Sequence, residues 1–194
     1  MTEQNYDHVW KLDIRGNLAN ILTVARLVLL PFIIMLFFMP WNWAAWACLT
    51  LYAIGAITDF FDGWVARKYN QITPFGTFLD PISDKIFVTT ILLMLVAVDR
   101  ISGIFVLAVI IILMREFLVA GLREFLGPKD VKLPVTSLAK WKTTIQMIAC
   151  GLLIIAPVSM AAKIIGLIGL VAAAVLTAMT GWKYLAASWE HIRE

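Results

Sequence analysis

The feature that most limits what this chain can fold into is a stretch without a single charge, residues 27–58. The hydrocarbon core of a bilayer takes about 20 residues of helix, so the stretch is too long for one crossing. It is interrupted at Met39-Pro40-Trp41-Asn42-Trp43. Proline breaks a helix, and tryptophan favours the boundary between water and hydrocarbon. The stretch therefore predicts two membrane helices joined by an interfacial turn. Residues 145–162 and 164–182 form two more uncharged runs, the first closed by Pro157 before Lys163.

Composition supports the same class. The chain is 61% hydrophobic and 15% charged, against roughly 45–50% and about 25% for soluble domains. A soluble enzyme, a disordered chain and a disulfide scaffold are excluded. Cys48 and Cys150 lie in apolar runs and read as small buried hydrophobes. The first 16 residues are polar and carry no apolar core of a signal peptide.

The middle of the chain behaves differently. Residues 86–98 and 101–114 are uncharged but too short to cross, and a turn at 99–103 separates them. The first must extend backwards through Asp80, Asp84 and Lys85, the second forwards through Arg115 and Glu116. Charges inside a span are costly and point by default to function. The expected architecture is an all-α membrane protein with six transmembrane helices, at 17–39, 43–67, 76–98, 101–124, 138–157 and 161–185. These make one membrane domain over 17–190. Residues 1–16 form an N-terminal segment, with a short amphipathic interfacial helix over 6–14.

In this topology Arg100 and Lys163 fall on one side, and the other 14 of the 16 Lys and Arg fall on the other. The excess of basic residues marks the cytoplasmic side. Polar residues gather at that end of five helices: Asn20, Thr23 and Arg26; Asp59, Asp62 and Arg67; Asp80, Asp84 and Lys85; Arg115, Glu116 and Arg123; Lys140, Lys142, Thr143 and Gln146. The sixth has almost nothing comparable. Five helices are thus expected to wall a polar chamber open to the cytoplasm.

Four carboxylates carry the strongest chemical signal. Asp59 and Asp62 are three apart on one helix, and Asp80 and Asp84 are four apart on the next. Each pair shares a helix face, and a short loop brings the two helices together. Unpaired, four such charges would repel one another. Divalent cations are the natural partner, and oxygen ligands favour Mg²⁺, Mn²⁺ or Ca²⁺. Gly63, Ala66 and Gly76 stand one turn from the carboxylates, leaving room for a ligand or for a close helix. Asp80-Pro81 also fits a plain helix start, an Asp cap followed by Pro.

These residues spell D-x2-D-G-x2-A-R-x8-G-x3-D-x3-D from Asp59 to Asp84. The pattern resembles the signature of the CDP-alcohol phosphotransferases, and all eight fixed positions match. Asn20, Thr23 and Arg26 resemble that family's first-helix N-x2-T-x2-R. The segments 114–127 and 139–147 resemble its phosphatidylglycerophosphate synthase branch.

The resemblance implies a six-helix, often dimeric, enzyme of a bacterial-type inner membrane that uses Mg²⁺ or Mn²⁺. The implied donor is CDP-diacylglycerol and the implied acceptor glycerol 3-phosphate, with CMP released. Asp59, Asp62 and Asp80 would hold one or two ions. Asp84 would be the general base and also touch metal. Gly63, Ala66, Arg67 and Gly76 would lie near the nucleotide. Arg67 also fits a snorkelling interfacial arginine, and Asn20 and Thr23 fit either the donor or hydrogen bonds between helices.

A phosphorylated acceptor needs cations, and Arg115, Arg123, Lys140 and Lys142 are the candidates. Arg115 lies about 21 Å along a helix begun at Ile101, deep enough to need a partner. The acidic motif alone does not separate this acceptor from inositol phosphate, serine or phosphatidylglycerol. A divalent-cation transporter is the reading from another class; the lack of polar groups on the far side argues against it.

Overall fold

A computed structural model describes residues 18–68, 74–126 and 137–192. Within them, the side chains of 18–20, 59–68, 74–75, 77, 137–140, 183 and 187–192 fall outside the description. The expected interfacial helix at 6–14 also lies outside the described residues. The described residues form six α-helices: α1 (Leu18–Phe37), α2 (Asn42–Lys68), α3 (Pro74–Ala97), α4 (Val106–Leu126), α5 (Ser137–Ile154) and α6 (Met160–Ile192). One turn of 3-10 helix, Gly103–Phe105, leads into α4.

Each helix begins and ends where the chemistry changes. α1 stops just before Pro40, and α2 starts at Asn42 within the tryptophan cluster, where Trp41 and Trp43 stack with centroids 5.8 Å apart. α3 ends in a turn in which Asp99 takes a left-handed conformation, φ 57°. The amides of Arg100 and Ile101 then both donate to the carbonyl of Leu95, at 3.0 and 3.1 Å. Such a turn satisfies carbonyls left open at a helix end. α3 starts at Pro74, so Asp80-Pro81 lies inside the helix. This corrects the reading of that dipeptide as a helix start: the helix runs through Pro81 and loses one backbone hydrogen bond there.

The pattern of burial is the reverse of a soluble protein's. Thr23, Arg26, Ser83, Lys142, Gln146, Thr177 and Thr180 are buried. Phe32, Met35, Phe38, Leu107, Met114, Phe117, Ile168 and Trp182 are exposed. The segments Gly103–Leu126 and Met160–Ala186 are long and apolar enough to cross a membrane, and Ile21–Phe37 and Trp141–Ile154 are shorter apolar helices. Apolar side chains facing outward in such number mark a surface made for lipid. The chain is a membrane protein.

Packing sets the helices in place. The core holds Ile33, Phe37, Ile91, Leu92, Leu95, Ile112, Leu153, Ile154 and Leu170. Arg100 ties one end together, because its guanidinium donates to the carbonyl of Ile154 and lies 4.9 Å from the centre of the Phe37 ring. The most extensive contact is between α5 and α6. It depends on glycine: a Cβ at Gly166 would stand 2.8 Å from Leu153 Cγ and 3.2 Å from the carbonyl oxygen of Ala149. Without a hydrophobic drive between helices in lipid, such close approach supplies the attraction. Gly166→Val forces α5 and α6 apart. It is expected to cost about 1–3 kcal/mol, read as a lower melting temperature of the purified protein in detergent, and an unchanged melt would disprove the role given to Gly166.

Candidate functional site

A cavity of about 390 Å³ opens among the helices. α1 contributes Arg26; α2, Gly55 and Ala56; α3, Asp80, Asp84 and Lys85; α4, Glu116 and Arg123; α5, Lys142, Thr143 and Gln146. Further along the helices the wall turns apolar, with Phe87, Val88 and Met147 beside Gly55 and Ala56. Among the described lining residues none comes from α6.

The acidic side is built by two parallel helices in register. Thr23 and Arg26 are one turn apart on α1, and Asp80 and Asp84 are one turn apart on α3. Thr23 Oγ1 donates to Asp80 Oδ1 at 2.7 Å, and Arg26 is ion-paired and hydrogen-bonded to Asp84 Oδ1. Arg26 is 2% exposed, whereas half of the Asp84 side chain is open. A buried guanidinium demands a partner, and Asp84 supplies it while keeping a face toward the cavity.

The basic side is built by α4 and α5. Lys142 is buried and paired with Glu116 Oε1. The same oxygen accepts from Arg115 at 3.3 Å. Glu116 thus bridges two cations. Arg123 is exposed at the cavity's edge.

The expected site residues fall into three groups. Asp80, Asp84, Arg123 and Lys142 line the cavity. Thr23 is fully buried behind Asp80, as a bond between helices. Gly76 is buried one turn before Asp80. Arg115 is not among the lining residues. Its guanidinium lies 5.4 Å from the centre of the Tyr184 ring, and its Cγ would stand 2.7 Å from a Cβ at Gly181. It is therefore turned toward α6. The backbones of Asn20, Asp59, Asp62, Gly63, Ala66, Arg67 and Lys140 lie in helices, and their side chains fall outside the described residues.

Among the lining residues that had no role assigned from sequence are Arg26 and Gln146. The spacing of Thr23 and Arg26 puts them on one face of α1, but which helix that face meets is not written in it. Gln146 stands one turn beyond Lys142, which puts it on the cavity side of α5.

The residues present suit a divalent cation. Asp80 and Asp84 offer hard oxygen donors side by side, and the backbone of Asp59 lies in α2, three residues past the lining residue Ala56. Among the described residues, no three His, Cys, Asp or Glu side chains gather closely enough to hold an ion. A site there would draw on the end of α2.

The Glu116–Lys142 pair yields a test. Removing one partner of a buried pair strands the other charge, at a cost of about 3–5 kcal/mol. Glu116→Gln should lower the melting temperature more than the double replacement Glu116→Gln with Lys142→Met, which strands no lysine. Equal melting temperatures for the single and double replacements would show that the pair contributes nothing.

The family model for CDP-alcohol phosphatidyltransferase matches residues 16–182. A CDP-diacylglycerol–glycerol-3-phosphate 3-phosphatidyltransferase of Rickettsia prowazekii is 44% identical, over 91% of this chain and 97% of the relative. Proteins of the same name are 46% identical in Cereibacter sphaeroides, over 71% of this chain and 62% of the relative, and 35% identical in Pseudomonas fluorescens, over 91% and 92%. The chain belongs to the CDP-alcohol phosphatidyltransferase family.

Proposed function

We propose that this protein transfers the phosphatidyl group of CDP-diacylglycerol to glycerol 3-phosphate, releasing CMP and forming phosphatidylglycerophosphate. The relatives that match most of its length carry the name of that activity. The observation that carries the reading within the site is the meeting of two poles in one cavity: Asp80 and Asp84 on one side, Lys142 and Arg123 on the other. A pyrophosphate donor and a phosphorylated acceptor need such a division. Membership of a transferase family sets the transport reading aside.

The chain's own residues take these parts. Asp59, Asp62, Asp80 and Asp84 hold one or two Mg²⁺ or Mn²⁺ ions. Such ions supply neutralisation of the pyrophosphate charge. Asn20, Gly63, Ala66, Arg67 and Gly76 border the donor, and Thr23 steadies Asp80. Lys142, Arg123 and Lys140 receive the acceptor's phosphate, and Arg115 holds Glu116 against Lys142. Arg26 fixes the Asp84 carboxylate so that its open oxygen meets the acceptor hydroxyl.

Asp84 takes the proton of that hydroxyl. The hydroxyl oxygen forms a bond to the phosphorus that carries diacylglycerol. The bond from that phosphorus to the bridging oxygen breaks in line, and CMP leaves with the electron pair. Transfer of this kind depends mainly on positioning and on charge.

The setting follows from the same reading. All six helices span a bacterial-type cytoplasmic membrane as one domain over 17–190, with the cavity open to the cytoplasm. The working unit is a homodimer.

The test is CMP release by the purified protein with CDP-diacylglycerol and a panel of acceptors, with and without chelator. Release should require glycerol 3-phosphate and the divalent ion. Release with inositol phosphate, serine or phosphatidylglycerol in its place would assign a sister activity. Asp84→Asn should lower kcat by about 10²–10⁴-fold, and full activity in that variant would remove Asp84 as the base.

A further inference from the structure

Gln146 is 5% exposed and lines the cavity, yet its Oε1 is buried without a hydrogen-bond partner. A buried carbonyl oxygen left unsatisfied is costly and calls for an explanation. Lys142 lies one turn away on the same helix face, about 6 Å along the axis. Gln146 stands at the inner end, where Met147, Phe87 and Val88 make the wall apolar.

We infer that Gln146 is a specificity-determining residue, whose amide oxygen accepts a hydrogen bond from the hydroxyl of the acceptor that does not react. The inference rests on the activity proposed above and adds a contact to it. The missing partner must be a donor, which an ionised phosphate is not. Glycerol 3-phosphate has two hydroxyls. One attacks phosphorus and passes its proton to Asp84; the secondary one has no partner in the mechanism so far. With its phosphate held at Lys142, the acceptor's carbon chain runs along the same face of α5 toward Gln146, one turn away. The donor nucleotide also carries N–H and O–H groups. However, its place is at the motif-bearing ends of α2 and α3, whereas Gln146 sits on α5 with Lys142.

The experiment compares two acceptors in the purified full-length protein by CMP release: glycerol 3-phosphate and 3-hydroxypropyl phosphate, which lacks the secondary hydroxyl. The unmodified protein should favour glycerol 3-phosphate in kcat/KM by about 10- to 100-fold, the usual range for stranding a buried acceptor. In Gln146→Met, which keeps the length but not the oxygen, kcat/KM for glycerol 3-phosphate should fall by a similar factor, chiefly through KM. Its preference between the two acceptors should collapse toward one, with KM for CDP-diacylglycerol unchanged. A Gln146→Met protein that keeps the full preference overturns the inference, as does one in which only KM for CDP-diacylglycerol rises. If the variant does not fold, the unmodified protein still decides: equal kcat/KM for the two acceptors overturns the inference. No CMP release from the unmodified protein with glycerol 3-phosphate is a separate result, which removes the proposed activity and this contact with it.

Discussion

The constraint on which the rest depends is that Arg26, a guanidinium 2% exposed, sits inside a protein whose outer surface is apolar. Without its partner that buried charge would be stranded at a cost of about 3–5 kcal/mol, a large share of the roughly 5–15 kcal/mol that separates folded from unfolded chains. The pair with Asp84 resolves this and fixes more than two side chains. It sets the register of α1 against α3, because Thr23 meets Asp80 in the same alignment. The neighbouring Gly55 allows Phe87 of α3 to approach, since a Cβ there would stand 2.7 Å from the ring. One ion pair, one hydrogen bond and one glycine thus hold three helices around the acidic side of the cavity.

The basic side solves the same problem in another way. Arg115 and Lys142 come from different helices, and Glu116 lies against both. Arg115 is also covered by α6, through Tyr184 and the close approach at Gly181. α6 contributes no described residue to the cavity wall and still matters to it. It backs Arg115, Arg115 backs Glu116, and Glu116 holds Lys142 at the wall. Positioning passes from a helix outside the cavity to a cation inside it.

Much of this could be read in the chain, and the limits have physical causes. Charge-free runs bounded by Pro40, Asp99 and Pro157 marked helices closely, because helix ends in an apolar setting need polar or breaking residues. The spacing of Asp80 and Asp84 reported a shared face, because that depends only on helical repeat. The rotation of α4 could not be read. Arg115 and Glu116 are adjacent, so they point about 100° apart, and only packing against Gly181 decides which faces the cavity. The role of Arg26 was hidden for a related reason. Its partner lies 58 residues away, and a register between two helices is not written in either one. The capping interpretation of Asp80-Pro81 failed because α3 already begins at Pro74 and continues through Pro81, at the loss of one hydrogen bond.

The pairings also bear on how such a cavity can accept anionic molecules. Among its described lining residues, Arg26, Lys85, Arg123 and Lys142 oppose Asp80, Asp84 and Glu116. The buried cation on each side has its own carboxylate, Asp84 for Arg26 and Glu116 for Lys142, so neither pole strands a buried charge. A phosphate arriving at Lys142 does not find a bare cation; it competes with Glu116. Affinity is then set by the difference between two ion pairs, which is far smaller than either alone. Arg123 is different, being exposed at the rim, where a charge is solvated and attracts over a distance. A division of labour follows from burial alone. The exposed cation draws an anion in, and the buried, pre-paired cation discriminates, because only a ligand that replaces the carboxylate's hydrogen bonds with equal geometry can hold it.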